Sequence, residues 1–252
     1  WDFAAASSSV GEATASQNIV LRLTVAPATN KTITYTVANG SATGGGTDFT
    51  LASGTATVLA GQTAATISAA IVNDLLDEPN ETFTVTLSSP ASGTVLGTPS
   101  VHTLTINDND ATPAIQFTSA TGSTGEATAS GSIAVSLNAA SGQQVTATYT
   151  VANGTATGGG TDFTLATGTV TINAGVTSVN LSPSIVNDVL AEGNENFTIT
   201  LSAPSNASLG TNTVHTHTII DNEATPEWDF AAASSSVGEA TASQNIVLRL
   251  TV

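Results

Sequence analysis

The sequence predicts an all-β protein built from tandem β-sandwiches arranged end to end. Two observations carry this prediction: apolar and polar residues alternate in short runs, and long stretches of sequence recur at a fixed spacing. Glu12 recurs as Glu126, 114 residues later, and residues 228–252 repeat residues 1–25 letter for letter. Self-similarity of this kind is typical of repeat proteins, and about 114 residues is the usual size of a domain with its own core. We expect three units: a first domain at 1–112, a second at 113–227, and the opening strands of a third copy at 228–252.

The strands are predicted from alternation with a period of two, in which every second residue faces the core. Turn sequences rich in Gly, Pro and Asn separate the alternating runs, and no helical period persists over ten residues. About seven such strands per domain are typical of a β-sandwich with Greek-key connections. In the first domain the alternating runs are 19–25, 33–37, 67–71, 83–87 and 104–106.

The composition excludes several classes of function. Three basic residues stand against nineteen acids, which gives a net charge of −16. Nucleic acid is excluded as a partner, because binding it requires Lys and Arg to neutralise phosphates, and an anionic membrane surface is disfavoured for the same reason. The absence of Cys rules out disulfides, thiolate catalysis and Cys-ligated zinc. No apolar run reaches the length of a membrane span, so we expect no membrane insertion in this segment.

The acids of each domain concentrate in three places, whereas the rest of the chain carries few charges. In the first domain these places are Glu12, the segment 73–81 and the segment 108–110. Carboxylates brought to one end of a sandwich repel one another unless a cation lies among them, and Ca²⁺ accepts about six to eight oxygen ligands. The pattern predicts calcium sites, with a solvated acidic surface without metal as the alternative.

Four segments, taken in order, resemble the Calx-beta family. They are Gly11-Glu12, the stretch YTVANGSATGGGTDF at 35–49, the stretch IVND…EPNETFTVTL at 71–87, and LTINDND at 104–110. The resemblance covers both complete domains nearly end to end. It implies an immunoglobulin-like sandwich that holds calcium in the loops at one end, as in the calcium-sensing domains of sodium–calcium exchangers and in many bacterial surface proteins.

By matching position, the resemblance also implies a set of calcium ligands. Asn39, Asn73, Asn109 and their counterparts stand where the family often has an acid, so we expect one or two ions per domain, bound at millimolar extracellular calcium. The implied ligands are Glu12, Asp74, Glu78, Glu81, Asp108 and Asp110 in the first domain, and Glu126, Asp188, Glu192, Glu195, Asp221 and Glu223 in the second.

Other polar residues have simpler interpretations. Asp48 and Asp162, in the sequence Gly-Thr-Asp-Phe, are predicted to cap turns, because Asp often bonds the backbone of its own turn. His102, His215 and His217 are predicted to lie on strands beside core residues, without a metal or catalytic role. No Gly-x-Ser-x-Gly sequence occurs, so nucleophilic catalysis has no support and the protein is predicted not to be an enzyme.

Exact repetition, acidity and short Thr-Pro linkers predict a structural role. We expect a segment of a calcium-stiffened stalk, adhesin or filament that is secreted or displayed on a bacterial cell surface. Its expected partners are neighbouring repeats of the same chain or identical chains in a fibre, with any surface or carbohydrate target elsewhere in the full protein. The alternative is a calcium-sensing or ligand-binding regulatory module.

Overall fold

The computed structural model describes residues 1–251 and confirms the all-β prediction, because every regular element in this range is a β-strand. Val252, the last residue of the predicted third copy, lies outside the described residues. No helix among residues 1–251 is long and apolar enough to cross a membrane. The strands within residues 1–112 are β1 (Asp2–Phe3), β2 (Ser7–Gly11), β3 (Ser16–Arg22), β4 (Lys31–Asn39), β5 (Phe49–Thr50), β6 (Gly54–Val58), β7 (Ala64–Ile71), β8 (Glu81–Ser88) and β9 (Val101–Asn107).

The first domain is a sandwich of two sheets, with strand orders β1-β3-β7-β5 and β2-β9-β8-β4-β6. Alternation along β8 shows why the sheets pack: Phe83, Val85 and Leu87 are buried, and the threonines between them are partly exposed. Phe83 stacks on Phe49 of the other sheet, with ring centroids 3.8 Å apart. The core therefore lies between the two sheets, as the alternation predicts.

The second domain repeats this architecture. Its strands are β10 (Ala114–Phe117), β11 (Thr121–Gly125), β12 (Ile133–Leu137), β13 (Val145–Asn153), β14 (Phe163–Thr164), β15 (Gly168–Ile172), β16 (Ser178–Leu181), β17 (Ser184–Ile185), β18 (Glu195–Ser205), β19 (Ser208–Leu209) and β20 (Val214–Ile220). The sheets have the orders β16-β12-β10-β19 and β11-β20-β18-β13-β15, with a separate β14-β17 pair. Phe163 stacks on Phe197 with ring centroids 3.9 Å apart, in the same arrangement as in the first domain.

The described part of the third copy, residues 228–251, forms one hairpin together with Glu227, which precedes it; the strands are β21 (Glu227–Phe230) and β22 (Leu248–Thr251). Its register is that of the first domain: Asp229 pairs with Arg249 as Asp2 pairs with Arg22. Burial differs completely, because Phe3 is 0% exposed whereas its copy Phe230 is 61% exposed. The hairpin forms from its own sequence, but within the described residues nothing covers its apolar face.

Candidate metal centre

Three distant segments meet at one end of the first domain because of strand order. β2 and β9 run parallel, with Gly11 beside Asn107, so Glu12 and Asp108 leave the sheet side by side. β8 runs antiparallel to β9, and Glu81 pairs with Ile106. The start of β8 and the ends of β2 and β9 therefore lie at the same edge. The predicted acidic segments come together there.

The first set of carboxylates is the Glu12 group, which consists of Glu12, Asp74 and Asp110. One oxygen from each of the three side chains lies within 4.8 Å of the others. Glu12 is buried, and its Oε1 accepts a hydrogen bond of 2.8 Å from the Asp74 N–H. Asp74 Oδ1 accepts a bond of 2.8 Å from the Leu76 N–H. These bonds fix the loop after β7 against the end of β2, with the remaining carboxylate oxygens free to face one another.

The second set is the Glu81 group, in which oxygens of Asp48, Glu78 and Glu81 lie within 4.8 Å of one another. Asp48 Oδ2 accepts a hydrogen bond of 2.5 Å from the Thr43 N–H, so it does cap its turn. It is also a candidate ligand, which the sequence interpretation missed. The pairing of Phe49 with Ile71 brings Asp48 to the acidic loop. Only that register, which spans more than twenty residues, could have revealed it.

A small cavity lies among these carboxylates. Its volume is about 10 Å³, close to the space that one water-sized particle needs. Asp108 Oδ1 and Asp110 Oδ2 are buried and have no hydrogen-bond partner in the described part of the chain. A buried polar atom without a partner is costly, so each of these oxygens calls for a donor or a cation. The cavity is lined by Glu12, Asp48, Val72, Glu78, Pro79, Glu81, Ile106 and Asp108.

The pKa values show that the carboxylates are crowded. Burial, followed by a hydrogen bond with Asp48, raises the pKa of Glu81 to about 7. Burial, followed by the charge of Asp74, raises the pKa of Glu78, and burial is also the largest cause of the raised pKa of Glu12. Without a cation, burial and the neighbouring charges make the charged form of these groups less favourable than in an isolated carboxyl.

The second domain has two corresponding sets. The Glu126 group consists of Glu126, Asp221 and Glu223, and the Glu195 group consists of Asp162, Glu192 and Glu195; the oxygens in each lie within 4.8 Å of one another. The Asp188 N–H donates a hydrogen bond of 3.1 Å to Glu126 Oε1, but the Asp188 carboxylate is in neither group. Burial and a hydrogen bond with Asp162 raise the pKa of Glu195 to about 7, as in the first domain.

Two donors distinguish the second site from the first. Gly193 stands where the first domain has Pro79, which has no N–H, and the Gly193 N–H donates a 3.1 Å hydrogen bond to Asp221 Oδ2. With its amide oriented to donate, Asn222 Nδ2 lies 3.1 Å from Glu126 Oε2 and 3.3 Å from Glu223 Oε2. Asp221 Oδ1 still lacks a partner. The second site therefore satisfies some of its carboxylate oxygens with N–H donors of its own chain.

The donor chemistry fits a hard divalent cation. Both domains offer carboxylate oxygens from several loops, and neither site contains Cys or His among the described residues. Oxygen-only ligands on loops suit Ca²⁺ better than zinc or copper, which prefer nitrogen and sulfur. The unpaired buried oxygens are the atoms that such an ion would satisfy.

Sequence comparison assigns both domains to one family. The model of the Calx-beta domain matches residues 1–110 and again residues 108–223. The chain belongs to the Calx-beta family. This confirms the resemblance found in the sequence and the tandem arrangement of two Calx-beta domains. A search of curated protein sequences found no match.

Several solved structures are similar to this chain. CBD12 from CALX1.2 is 19% identical, with a TM-score of 0.42 over 86% of this chain and 98% of that one. CBD12 of CALX1.1, described as a calcium binding domain, is 18% identical, with the same TM-score and coverage. The apo form of the Calx CBD1 domain is 23% identical, with a TM-score of 0.42 over 44% of this chain and 99% of that one.

Proposed function

We propose that each Calx-beta domain of this chain binds Ca²⁺ at its acidic end. The observation that carries the proposal is the buried, unpaired oxygens of Asp108, Asp110 and Asp221 among other carboxylates. The match of both domains to the Calx-beta family supports it, since the resemblance to that family implies calcium held in the loops at one end. The proposed ligands are the twelve predicted from the sequence, to which the geometry adds Asp48 and Asp162.

The two groups of carboxylates in each domain support one or two ions per domain. Each group supplies three side chains, and Asp108 lies in the cavity between them in the first domain. Asn39, Asn73 and Asn109 stand where the family often has an acid, which places the affinity toward the weak end of the calcium range, near the concentrations found outside cells. The ion would draw loops from both sheets together and hold the carboxylates in their charged form.

We further propose that the chain is a structural segment of a stalk, adhesin or filament outside the cell, and that it has no catalytic role. The verbatim repetition of 1–25 at 228–252 supports a function that depends on number of copies. The proposed partners are neighbouring repeats or identical chains. The alternative is a regulatory calcium sensor, which the crowded carboxylates favour, since they repel one another unless a cation lies among them.

Calorimetric melting with and without calcium tests the binding proposal. An ion at a hundred times its dissociation constant stabilises a domain by about 2.7 kcal/mol, or about 10 °C for a domain of this size. We expect both domains to melt at higher temperature with Ca²⁺ than with excess chelator. Sodium chloride at matched ionic strength is the control, because screening alone would raise both melting temperatures without any specific site.

Melting temperatures that respond equally to sodium and calcium would leave only the solvated acidic surface. The structural and regulatory roles are separated by the number of Calx-beta copies in the complete gene. Many near-identical copies support the stalk, whereas two divergent copies favour the sensor.

A further inference from the structure

The second domain has two buried histidines on β20 where the first domain has one on β9. His215 is the counterpart of His102, and His217 takes the place of Leu104. His215 is 4% exposed and His217 is 1% exposed. The prediction that these residues lie beside the core agrees with their positions: His215 contacts the Phe117 ring and His217 the Phe197 ring, with centroids 5.4 Å apart in each case.

Hydrogen bonds connect the two imidazoles in one chain. His215 Nδ1 lies 2.7 Å from the Ser119 carbonyl oxygen, so it must be the donor. His215 Nε2 then accepts from His217 Nδ1 at 3.3 Å, which leaves His217 Nε2 to accept from the Thr124 hydroxyl at 2.9 Å. Every member has a partner when both rings are neutral. A second extra proton would force two N–H groups to face each other across 3.3 Å.

Glycine at position 122 makes room for this pair. Its register counterpart in the first domain is Ser8, whose hydroxyl lies 2.9 Å from His102 Nε2. A Cβ atom on Gly122 would lie 3.0 Å from His215 Cε1 and 3.4 Å from His217 Nδ1. The two domains therefore satisfy the same ring nitrogen in different ways: with a hydroxyl in the first, and with a second imidazole in the second.

No carboxylate faces the pair among the described residues. β11 and β10 contain no titratable residue, and β18 presents Phe197 opposite His217. Glu195 at the start of β18 and Glu126 just after β11 belong to the acidic groups and make no hydrogen bond to either ring. Burial, followed by the charge of His215, lowers the pKa of His217 to about 4. A proton taken up here has no compensating anion.

We propose that the His215–His217 pair is an acid-sensitive element that destabilises the second domain on acidification and leaves the first domain less affected. In the unfolded chain an imidazole binds its proton near pH 6.5. Between pH 6.5 and about 4 the unfolded state therefore holds the extra proton. The stabilising effect of the neutral pair is complete above pH 6.5 and is lost as the pH falls toward 4.

The test compares the intact chain with the double variant Gly122→Ser/His217→Leu, which rebuilds the arrangement of the first domain. Unfolding in urea is followed with excess chelator from pH 7.5 to pH 4.5, so that both proteins share the same acidic groups. We expect the unfolding equilibrium constant of the second domain to rise about a hundredfold more in the intact chain than in the variant. Equal pH dependence in the two proteins would overturn the proposal.

Two further measurements keep the proposal testable if that variant folds poorly. The chain has three histidines, so their ring resonances can be followed by NMR in the intact protein. We expect His217 to remain neutral, with its proton on Nδ1, at pH values where an exposed histidine is charged. Titration of His217 near pH 6.5 in the folded chain would contradict the proposal. The reverse graft, Ser8→Gly/Leu104→His, should transfer the acid sensitivity to the first domain.

Discussion

The acidic ends of the two domains have the same architecture but hold their carboxylates differently. In the first domain, Asp108 follows β9 with an unpaired buried oxygen, and Pro79 has no N–H to offer it. In the second, Asp221 also keeps one unpaired buried oxygen, but Gly193 donates to its other oxygen, and the Asn222 amide lies among the carboxylates. The pKa values follow this difference. Burial raises the pKa of Asp108 despite backbone hydrogen bonds from Asp110 and Glu78. Burial also acts on Asp221, but its hydrogen bonds, first among them that from the Gly193 N–H, together lower its pKa.

This difference indicates that two donor groups can change how strongly the same fold depends on a cation. Where the chain itself supplies N–H donors, less of the negative charge remains for an ion to neutralise. We therefore expect the first domain to bind calcium more tightly and to lose more stability when calcium is removed. The predictions below test this ranking, from the largest expected effect to the smallest.

The largest effect is expected from Glu12→Gln and Glu126→Gln, made separately. Each change removes a buried carboxylate that accepts a backbone N–H and belongs to the first group of its domain. We expect the changed domain to lose most of its calcium stabilisation, about 2.7 kcal/mol at saturation, with the larger loss for Glu12→Gln. Calorimetry of the intact chain measures both domains together.

Glu239→Gln is the matched control for this pair, because Glu239 is the copy of Glu12 in an identical sequence but is exposed and lies in no acidic group. It should leave both transitions unchanged. Equal calcium losses for Glu12→Gln and Glu126→Gln would remove the proposed ranking of the two domains.

The second prediction concerns the amide donor of the second site. Asn222→Asp replaces a group that donates to Glu126 and Glu223 with another negative charge. We expect the metal-free second domain to lose about 1–3 kcal/mol, because buried acceptors lose their donor, and its calcium affinity to rise. Isothermal titration and chelator-treated melts measure the two effects. Asn109→Asp in the first domain is the control and should cost less without metal.

A smaller effect is expected from Pro79→Gly, which gives the first domain the backbone donor of the second. Gly193 has a φ of 82°, a conformation that glycine adopts readily and other residues rarely do. We expect the variant to gain about 1 kcal/mol without metal, after the entropy cost of glycine is subtracted, and to bind calcium more weakly. Pro79→Ala adds an N–H but disfavours that φ, so it should have little of either effect. A Pro79→Gly variant with unchanged affinity would show that the proline is not the cause.

The smallest difference between the domains is expected in how their stability depends on pH, as far as that dependence comes from the Glu81 and Glu195 carboxyls. Each has a folded pKa of about 7, raised from 4.5, so the folded state binds more protons between these values. In the absence of metal, the stability that these two carboxyls contribute to the folded state is fully present below pH 4.5 and is lost as the pH rises to about 7. Glu81→Gln and Glu195→Gln should each flatten this slope, by similar amounts, in chelator-treated melts. A slope that survives both changes would assign it to other groups.

The sequence could predict the fold and most of the candidate site because the signals for both lie in short stretches of the chain. Alternation and turn residues specify strands directly, and acids at strand ends meet whenever those ends share an edge. Asp48 was predicted only as a turn cap, because its place beside Glu78 depends on how β5 pairs with β7. The donors Gly193 and Asn222 carry no sequence signal as site residues, and Asp188 lies outside both acidic groups although its position matches the family pattern.

The two copies of the 25-residue repeat separate what sequence determines from what tertiary structure decides. Both copies form the same hairpin in the same register, with the same ion pair between Asp2 and Arg22 or between Asp229 and Arg249. These features depend on residues within the repeat, so the sequence alone determined them. β2 exists only in the first copy, where it pairs with β9. Trp1 is 6% exposed, whereas its copy Trp228 is 73% exposed. A strand needs a neighbouring strand to pair with, and an apolar face needs an opposing sheet to cover it. The tertiary structure supplies both to the first copy only, although the two sequences are identical.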